Sequence, residues 1–315
     1  MQSMEERKPK ISVIMGIYNR HEEGQLDEAI ESVLRQSFSD FELLLYNDGS
    51  GQEVTEHLRD YARRDPRVIL IENSENHGLA YSLNTCIKAA RGKYLARMDD
   101  DDICMPNRLA VQYEFMESHP EYVYVGSNAC LLDENGVWGV RCMPECPKQS
   151  DFLKYSPFIH PTVMLRSDIF LEQDAYSVEK STWRCEDYEL FMRLWSLGYQ
   201  GFNIQQELLY YRENRQAYKK RKLRYRIDEM KLRARNFSQL DMLFPFGWLY
   251  VLRPLAAALI PSPVILYCKK IYHIRDRAHE QRQGKAFETL PARLAEGTKG
   301  FQHFEGAKDL QRYFN

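Results

Sequence analysis

Within the first hundred residues, short β-branched apolar runs alternate with stretches of helical periodicity, and this pattern limits the fold more than any other feature of the chain. Ile11 to Ile17 reads as a buried parallel strand, because it is apolar on both faces and too short for a core helix. Leu26, Ile30, Val33 and Leu34 then recur at helical spacing up to Gln36. Phe41 to Tyr46 predicts a second strand, Val54 to Ala62 a helix, Val68 to Ile71 a third strand, Gly78 to Ala90 a helix and Lys93 to Met98 a fourth strand. Strands joined through helices of this length make right-handed crossovers, so a mainly parallel, Rossmann-like α/β sheet flanked by helices is expected.

Ligands of such sheets bind beyond the carboxyl ends of the strands. Three polar clusters fall there: Tyr18-Asn19-Arg20 after Ile17, Asn47-Asp48-Gly49-Ser50, and Asp99-Asp100-Asp101-Asp102. A nucleotide would fit them, with a carboxylate such as Asp48 accepting from a base N–H or a ribose hydroxyl; a turn residue before Gly49 is the plainer reading. Four adjacent carboxylates repel one another unless a cation offsets them, and an oxygen-only donor set suits Mg²⁺ or Mn²⁺. The alternative is a solvated acidic turn with Asp102 capping the helix near Pro106. Neither G-x-G-x-x-G nor G-x-x-x-x-G-K-[ST] occurs, which argues against a dehydrogenase or P-loop ATPase.

In the second half, Tyr122 to Leu132 is expected to alternate and turn at Gly126, with a hairpin turn at Asp133-Glu134-Asn135-Gly136 and a return over Val137 to Cys142. Phe158 to Leu165 is expected as a strand carrying His160 toward the metal or phosphates, unless that histidine is structural. A helix opens near Trp183, with Leu190, Leu194 and Leu197 sharing one face and Glu186 and Asp187 in its first turn. The helix dipole favours carboxylates there whatever their function. Gln206 to Tyr211 predicts a last strand, after which Arg212 could clamp a diphosphate.

A net charge of −2 excludes a general polyanion binder, so no nucleic-acid partner is expected. The seven cysteines show no framework spacing, and Cys142 with Cys146 lacks the second ligand pair of a zinc site. The polar start leads directly into a strand, so a cytoplasmic chain without a leader is expected. Toward the C-terminus, residues 219–235 hold nine Lys or Arg, and Met242 to Cys268 runs 27 residues with one charge, Arg253. Pro245, Pro254, Pro261 and Pro263 divide that run. A membrane-surface element is therefore preferred to a spanning helix, with Phe244, Phe246, Trp248 and Tyr250 dipping in and basic runs meeting anionic lipid; a helical hairpin packed on the domain is the alternative.

Lys10 to Asn19, Ser32 to Phe38, Asn47-Asp48-Gly49-Ser50, Asn76-His77-Gly78-Leu79, Met98 to Asp102 and Pro106-Asn107-Arg108-Leu109 together resemble family 2 glycosyltransferases of the GT-A fold, in the style of bacterial exopolysaccharide or capsule enzymes. The resemblance covers roughly residues 10–215. It implies that Ile17, Tyr18, Asn19, Asp48, Asn76 and Gly78 frame the nucleotide, with Asp48 on uracil and Asp99 on ribose. It implies that Asp101 holds the metal bridging the diphosphate; Asp99 and His160 are the further metal candidates. The family often has a neutral residue where Asp100 stands, so the ligand set stays open among neighbouring carboxylates. Glu186-Asp187 looks like the family's Glu-Asp motif, which implies Asp187 as general base of an inverting reaction, with Glu186 beside it. The family often continues to a His after Arg212, where this chain has Glu213-Asn214.

The expected organisation is a polar N-terminus over 1–10, a catalytic domain over 11–215, a C-terminal helical appendage over 216–284 and a polar tail over 285–315. The expected activity is metal-dependent transfer from a nucleotide-sugar, UDP-linked, to a saccharide or lipid-linked acceptor. The enzyme would lie in the cytoplasm against the inner membrane face, bound through 219–277. A nucleotidyltransferase on a similar sheet, with only Arg20 near its α-phosphate, and a non-catalytic scaffold are the alternatives.

Overall fold

The computed structural model describes residues 8–20, 24–172, 175–213 and 223–260, with Val264, Tyr267, Cys268 and Ile271. Residues 1–7, 214–222, the basic run at 269–277 apart from Ile271, and the tail lie outside the described residues.

The apolar runs become β1 (Ile11–Ile17), β2 (Phe41–Asp48), β3 (Val68–Asn73) and β4 (Tyr94–Arg97), parallel in the order β3-β2-β1-β4. Periodicity places the helices between them: α1 (Gln25–Leu34), α2 (Gln52–Arg64) and α3 (Leu79–Ala89). The sheet continues as β8 (Met164–Arg166), β6 (Tyr124–Asp133), β9 (Gly201–Arg212) and β5 (Ile103–Cys104), with β7 (Gly136–Arg141) paired to β6. β8 runs antiparallel to β4 and β6, while β6 and β9 are parallel. Apolar side chains of α1 and α2 pack with α4 (Arg108–Ser118) on one side of β1. On the other, α3 shares a core with α6 (Glu186–Ser196), α7 (Leu223–Gln239) and α8 (Gly247–Ala258). A four-residue helix, α5 (Ile169–Glu172), follows β8.

Three local expectations change. The stretch Phe158 to Leu165 is not one strand: a 3-10 turn spans His160–Thr162, and β8 begins at Met164. Pro161 brings no N–H to a ladder, and Thr162 closes the turn by donating from N and Oγ1 to the Ile159 carbonyl at 2.9 and 2.7 Å. The second change is at Gly126, where β6 runs straight through, all ten residues buried rather than alternating. A Cβ at Gly126 would lie 2.4 Å from Asn203 Oδ1, so this glycine admits a β9 side chain instead of turning the chain. Leu197 is the third: it caps the end of α6 and is 47% exposed, whereas Leu190 and Leu194 are buried.

In the C-terminal region, α7 is half of a packed hairpin. Leu232 and Phe237 join the core with Tyr188 and Phe191 of α6. Arg233 is turned inward from the basic run, donating to the Leu153 carbonyl at 3.0 Å and pairing with Glu229. The opposite surface is apolar and open, with Phe244, Phe246, Trp248, Leu249, Leu252 and Leu259 exposed. Among the described residues, no helix is long and apolar enough to cross a membrane.

Candidate active site

The carboxyl end of β4 carries the acidic loop. Arg97 closes the strand, and Arg108, fully buried, donates from Nη2 to the Arg97 carbonyl at 2.8 Å and from Nε to Gln112 at 3.0 Å. From the far end of the chain, the Arg212 backbone N–H donates to Asp102 Oδ1 and its Nε to the Asp101 carbonyl, both at 2.7 Å. Asp102 therefore does not cap α4, whose N-cap is Asn107 without a side-chain bond. The Arg212 guanidinium also pairs with Glu28 at 2.5 Å.

One carboxylate oxygen each from Asp99, Asp101 and Asp102 lies within 4.8 Å of the others. Asp102 is 1% exposed, and its Oδ2 has no hydrogen-bond partner. An orphaned buried oxygen in an all-carboxylate set fits a hard divalent cation. Burial, then the neighbouring Asp99 charge, pushes Asp101 up to about 6, and burial with the charges of Asp99 and Asp101 raises Asp102 well above the usual range. Asp100 stands apart from the three. It pairs with Arg20, which also reaches Asp101 Oδ2 at 3.1 Å, and Arg97 pairs with Asp99.

The ends of β1, β2 and β3 are bound together beside this loop. Asp48 is buried and accepts from the His77 N–H at 2.9 Å, the Gly78 N–H at 2.8 Å and Asn76 Nδ2 at 2.9 Å. Gly78 takes φ +90°, a conformation that glycine adopts without strain. Asn19 accepts from the Gly51 N–H at 2.8 Å and donates its own N–H to Ser50 Oγ at 3.0 Å. Ile17 is buried beneath, and Tyr18 is 51% exposed.

Glu186 and Asp187 open α6. Burial raises both carboxyls; for Asp187 the Tyr188 N–H, Arg97 and Arg141 act the other way. His160 hydrogen-bonds through Nε2 to the Tyr176 hydroxyl at 2.8 Å, and desolvation, then Arg97, lowers it well below the usual imidazole range. It is not in the carboxylate group that could hold a metal. Burial raises the Tyr176 phenol; Arg97 acts the other way, and the charges of Asp187, Asp99 and Glu186 raise it. The sequence pattern did not single out Tyr176 or Arg97 as site residues, and it left Asp102 open among the four carboxylates. For Asp102 the signal was present in the acidic run but equally suited a helix cap. A lone tyrosine carries no motif.

Comparison with known proteins bears on this geometry. The Glycosyl transferase family 2 profile matches residues 12–170. EpsE of Bacillus subtilis (strain 168), a glycosyltransferase by name, is 37% identical over 277 residues, covering 88% of this chain and 97% of its own length. The amylovoran biosynthesis glycosyltransferase AmsE of Erwinia amylovora is 29% identical over 264 residues, covering 81% of this chain and 96% of its own. Among solved structures, mannosyltransferase PcManGT of Pyrobaculum calidifontis, in complex with GDP-Man and Mn²⁺, superposes with a TM-score of 0.54 at 16% identity, over 85% of this chain and 81% of that one. S. aureus TarS 1-349 in complex with UDP-GlcNAc gives 0.54 at 18% identity, over 88% and 93%. These likenesses agree with the mixed α/β sheet and its flanking helices, and the chain is a glycosyltransferase that belongs to glycosyl transferase family 2.

Proposed function

We propose that this glycosyltransferase moves a sugar from a UDP-sugar to a saccharide or lipid-linked saccharide of exopolysaccharide or capsule synthesis, by metal-assisted single displacement with inversion. The observation that carries the reading is the convergence of Asp99, Asp101 and Asp102 within 4.8 Å at the end of β4, with the orphaned Oδ2 of Asp102 among them. Asp99 and Asp101 would hold Mn²⁺ or Mg²⁺, with Asp102 completing the set. The ion, when bound, supplies charge stabilisation for the departing diphosphate. Asp48, Asn76, Gly78, Ile17, Tyr18 and Asn19 frame the nucleoside, and Arg212 braces the loop that meets the diphosphate. Asp187 takes the acceptor hydroxyl proton; burial makes it a stronger base than a solvated carboxylate. The likeness to structures holding UDP-GlcNAc and Mn²⁺ supports the donor class and the ion.

Residues 11–215 form the catalytic unit in this reading, and 216–284 bring it to the cytoplasmic face of the membrane. The open apolar surface of α8 supports that placement, as do exposed Lys231 and Arg235 on α7. The test is a thermal-shift panel of UDP, GDP and UDP-sugars with Mn²⁺ or with chelator, followed by NMR of the product's anomeric configuration. A UDP-specific shift that needs Mn²⁺ and an inverted product are expected. An equal shift in chelator overturns the metal role, and retention overturns single displacement.

A further inference from the structure

Four arginines grip the acidic loop, and they differ in exposure. Arg108 is fully buried on the Arg97 carbonyl, and the Arg97 side chain is 3% exposed on Asp99. Arg212 is held by a backbone carbonyl and by Glu28. Arg20 is 24% exposed at its side chain and reaches the loop from the segment that follows β1. Asn19 aims it: the φ of +43° and the bonds to Ser50 and Gly51 turn the chain after β1. Its guanidinium bridges Asp100 and Asp101, and Asp101 is also one of the three carboxylates whose oxygens converge. One carboxylate thus faces two cations, a guanidinium and the divalent ion of the proposed function. A divalent charge on Asp101 weakens the guanidinium's hold there by repulsion. The anion that arrives with the ion is the diphosphate, whose oxygens match the planar guanidinium fork.

We propose that Arg20 is an exchanging positioning residue: it neutralises Asp100 and Asp101 before the donor binds, and moves to a diphosphate oxygen when ion and donor enter. This rests on the metal reading above. It makes ion and nucleotide binding mutually dependent, because each removes a cost to the other.

Calorimetry on the full chain tests it, with Mn²⁺ alone and with UDP in saturating Mn²⁺, for wild type, Arg20→Gln and Arg20→Lys. Arg20→Gln should bind Mn²⁺ alone roughly 3–10-fold tighter, since a competing cation is gone. It should bind UDP in Mn²⁺ about tenfold weaker, since a charge-assisted hydrogen bond is lost. Opposite signs are the signature, because a merely structural arginine would weaken both. Unchanged or weaker Mn²⁺ binding by Arg20→Gln, or unchanged UDP binding, overturns the exchange while leaving the metal reading intact. A wild type that binds no Mn²⁺ even with UDP overturns both. Should Arg20→Gln fail to fold, Arg20→Lys decides: it keeps the charge on a shorter side chain without the planar fork, so its hold on Asp101 is weaker; Mn²⁺ alone should bind about twofold tighter, and no gain overturns the exchange.

Discussion

Glu186 and Asp187 share the first turn of α6, and substituting each separates chemistry from helix capping. Asp187→Asn keeps the shape and removes the proton acceptor, so turnover should fall by roughly 10²–10⁴ with UDP-sugar affinity nearly unchanged. Glu186 points about 100° away around the helix, and Glu186→Gln should cost much less. Initial transfer rates, donor affinity and a melt for both variants check this; a well-folded Asp187→Asn enzyme with normal turnover removes it as base. Asp101 gives a pH prediction. It titrates near 6 in the folded chain against 3.8 for a free carboxyl, so the folded state holds the proton more tightly. Its contribution to stability is therefore present at low pH and lost as pH rises through 6. In chelator at pH 7, Asp101→Asn should raise stability by about 1 kcal/mol, allowing for the partial exposure of the side chain, or roughly 2 °C in Tm. At pH 4 the gain should vanish. Metal-dependent UDP binding by wild type should weaken as pH falls through 6, and a lower Tm for the variant at pH 7 would count against the cluster's repulsion.

At the scale of elements, β6 shows how a pattern can be read correctly as a strand and wrongly in its detail. Gly126 suggested a turn, yet it exists to admit Asn203, whose Nδ2 donates to the Pro144 and Pro157 carbonyls at 2.8 and 3.0 Å. Gly126→Ala should push Asn203 off those carbonyls and cost about 1–3 kcal/mol, measured by denaturant unfolding. A neutral substitution would mean that β9 shifts freely past β6. The helices of the first half were legible because one face of each repeats apolar residues at fixed spacing. The 3-10 turn at His160–Thr162 was not, because apolar residues flank it on both sides as in a strand and its cause is a proline in place of a ladder donor.

For the whole molecule, the C-terminal helices pack on the domain, the alternative that the sequence offered to a membrane-surface element. Their inner side completes the core behind α6, and their outer side is an apolar comb. Truncation before α7 would remove Leu232 and Phe237 and uncover Tyr188 and Phe191, so surface substitutions are the cleaner probe. Trp248→Asp with Leu252→Asp should leave Tm within a few degrees and markedly reduce flotation with anionic vesicles. Wild-type flotation should fall with salt, each basic residue near the lipid contributing about 1 kcal/mol before screening. Flotation that ignores lipid charge or these substitutions would dismiss the membrane role.

By itself, the sequence determined the alternation of strands and helices from Ile11 to Arg97 and the clustering of Asn19, Asp48 and the aspartates at strand ends, because periodicity and turn residues act over a few positions. Which carboxylates converge was decided only by the tertiary structure. Pairing of β5 with β9 carries Arg212 to Asp102 across 110 positions, and Arg20 crosses 80 positions to take Asp100 out of the group. Contacts over such separations depend on the register of the whole sheet, which no local pattern encodes.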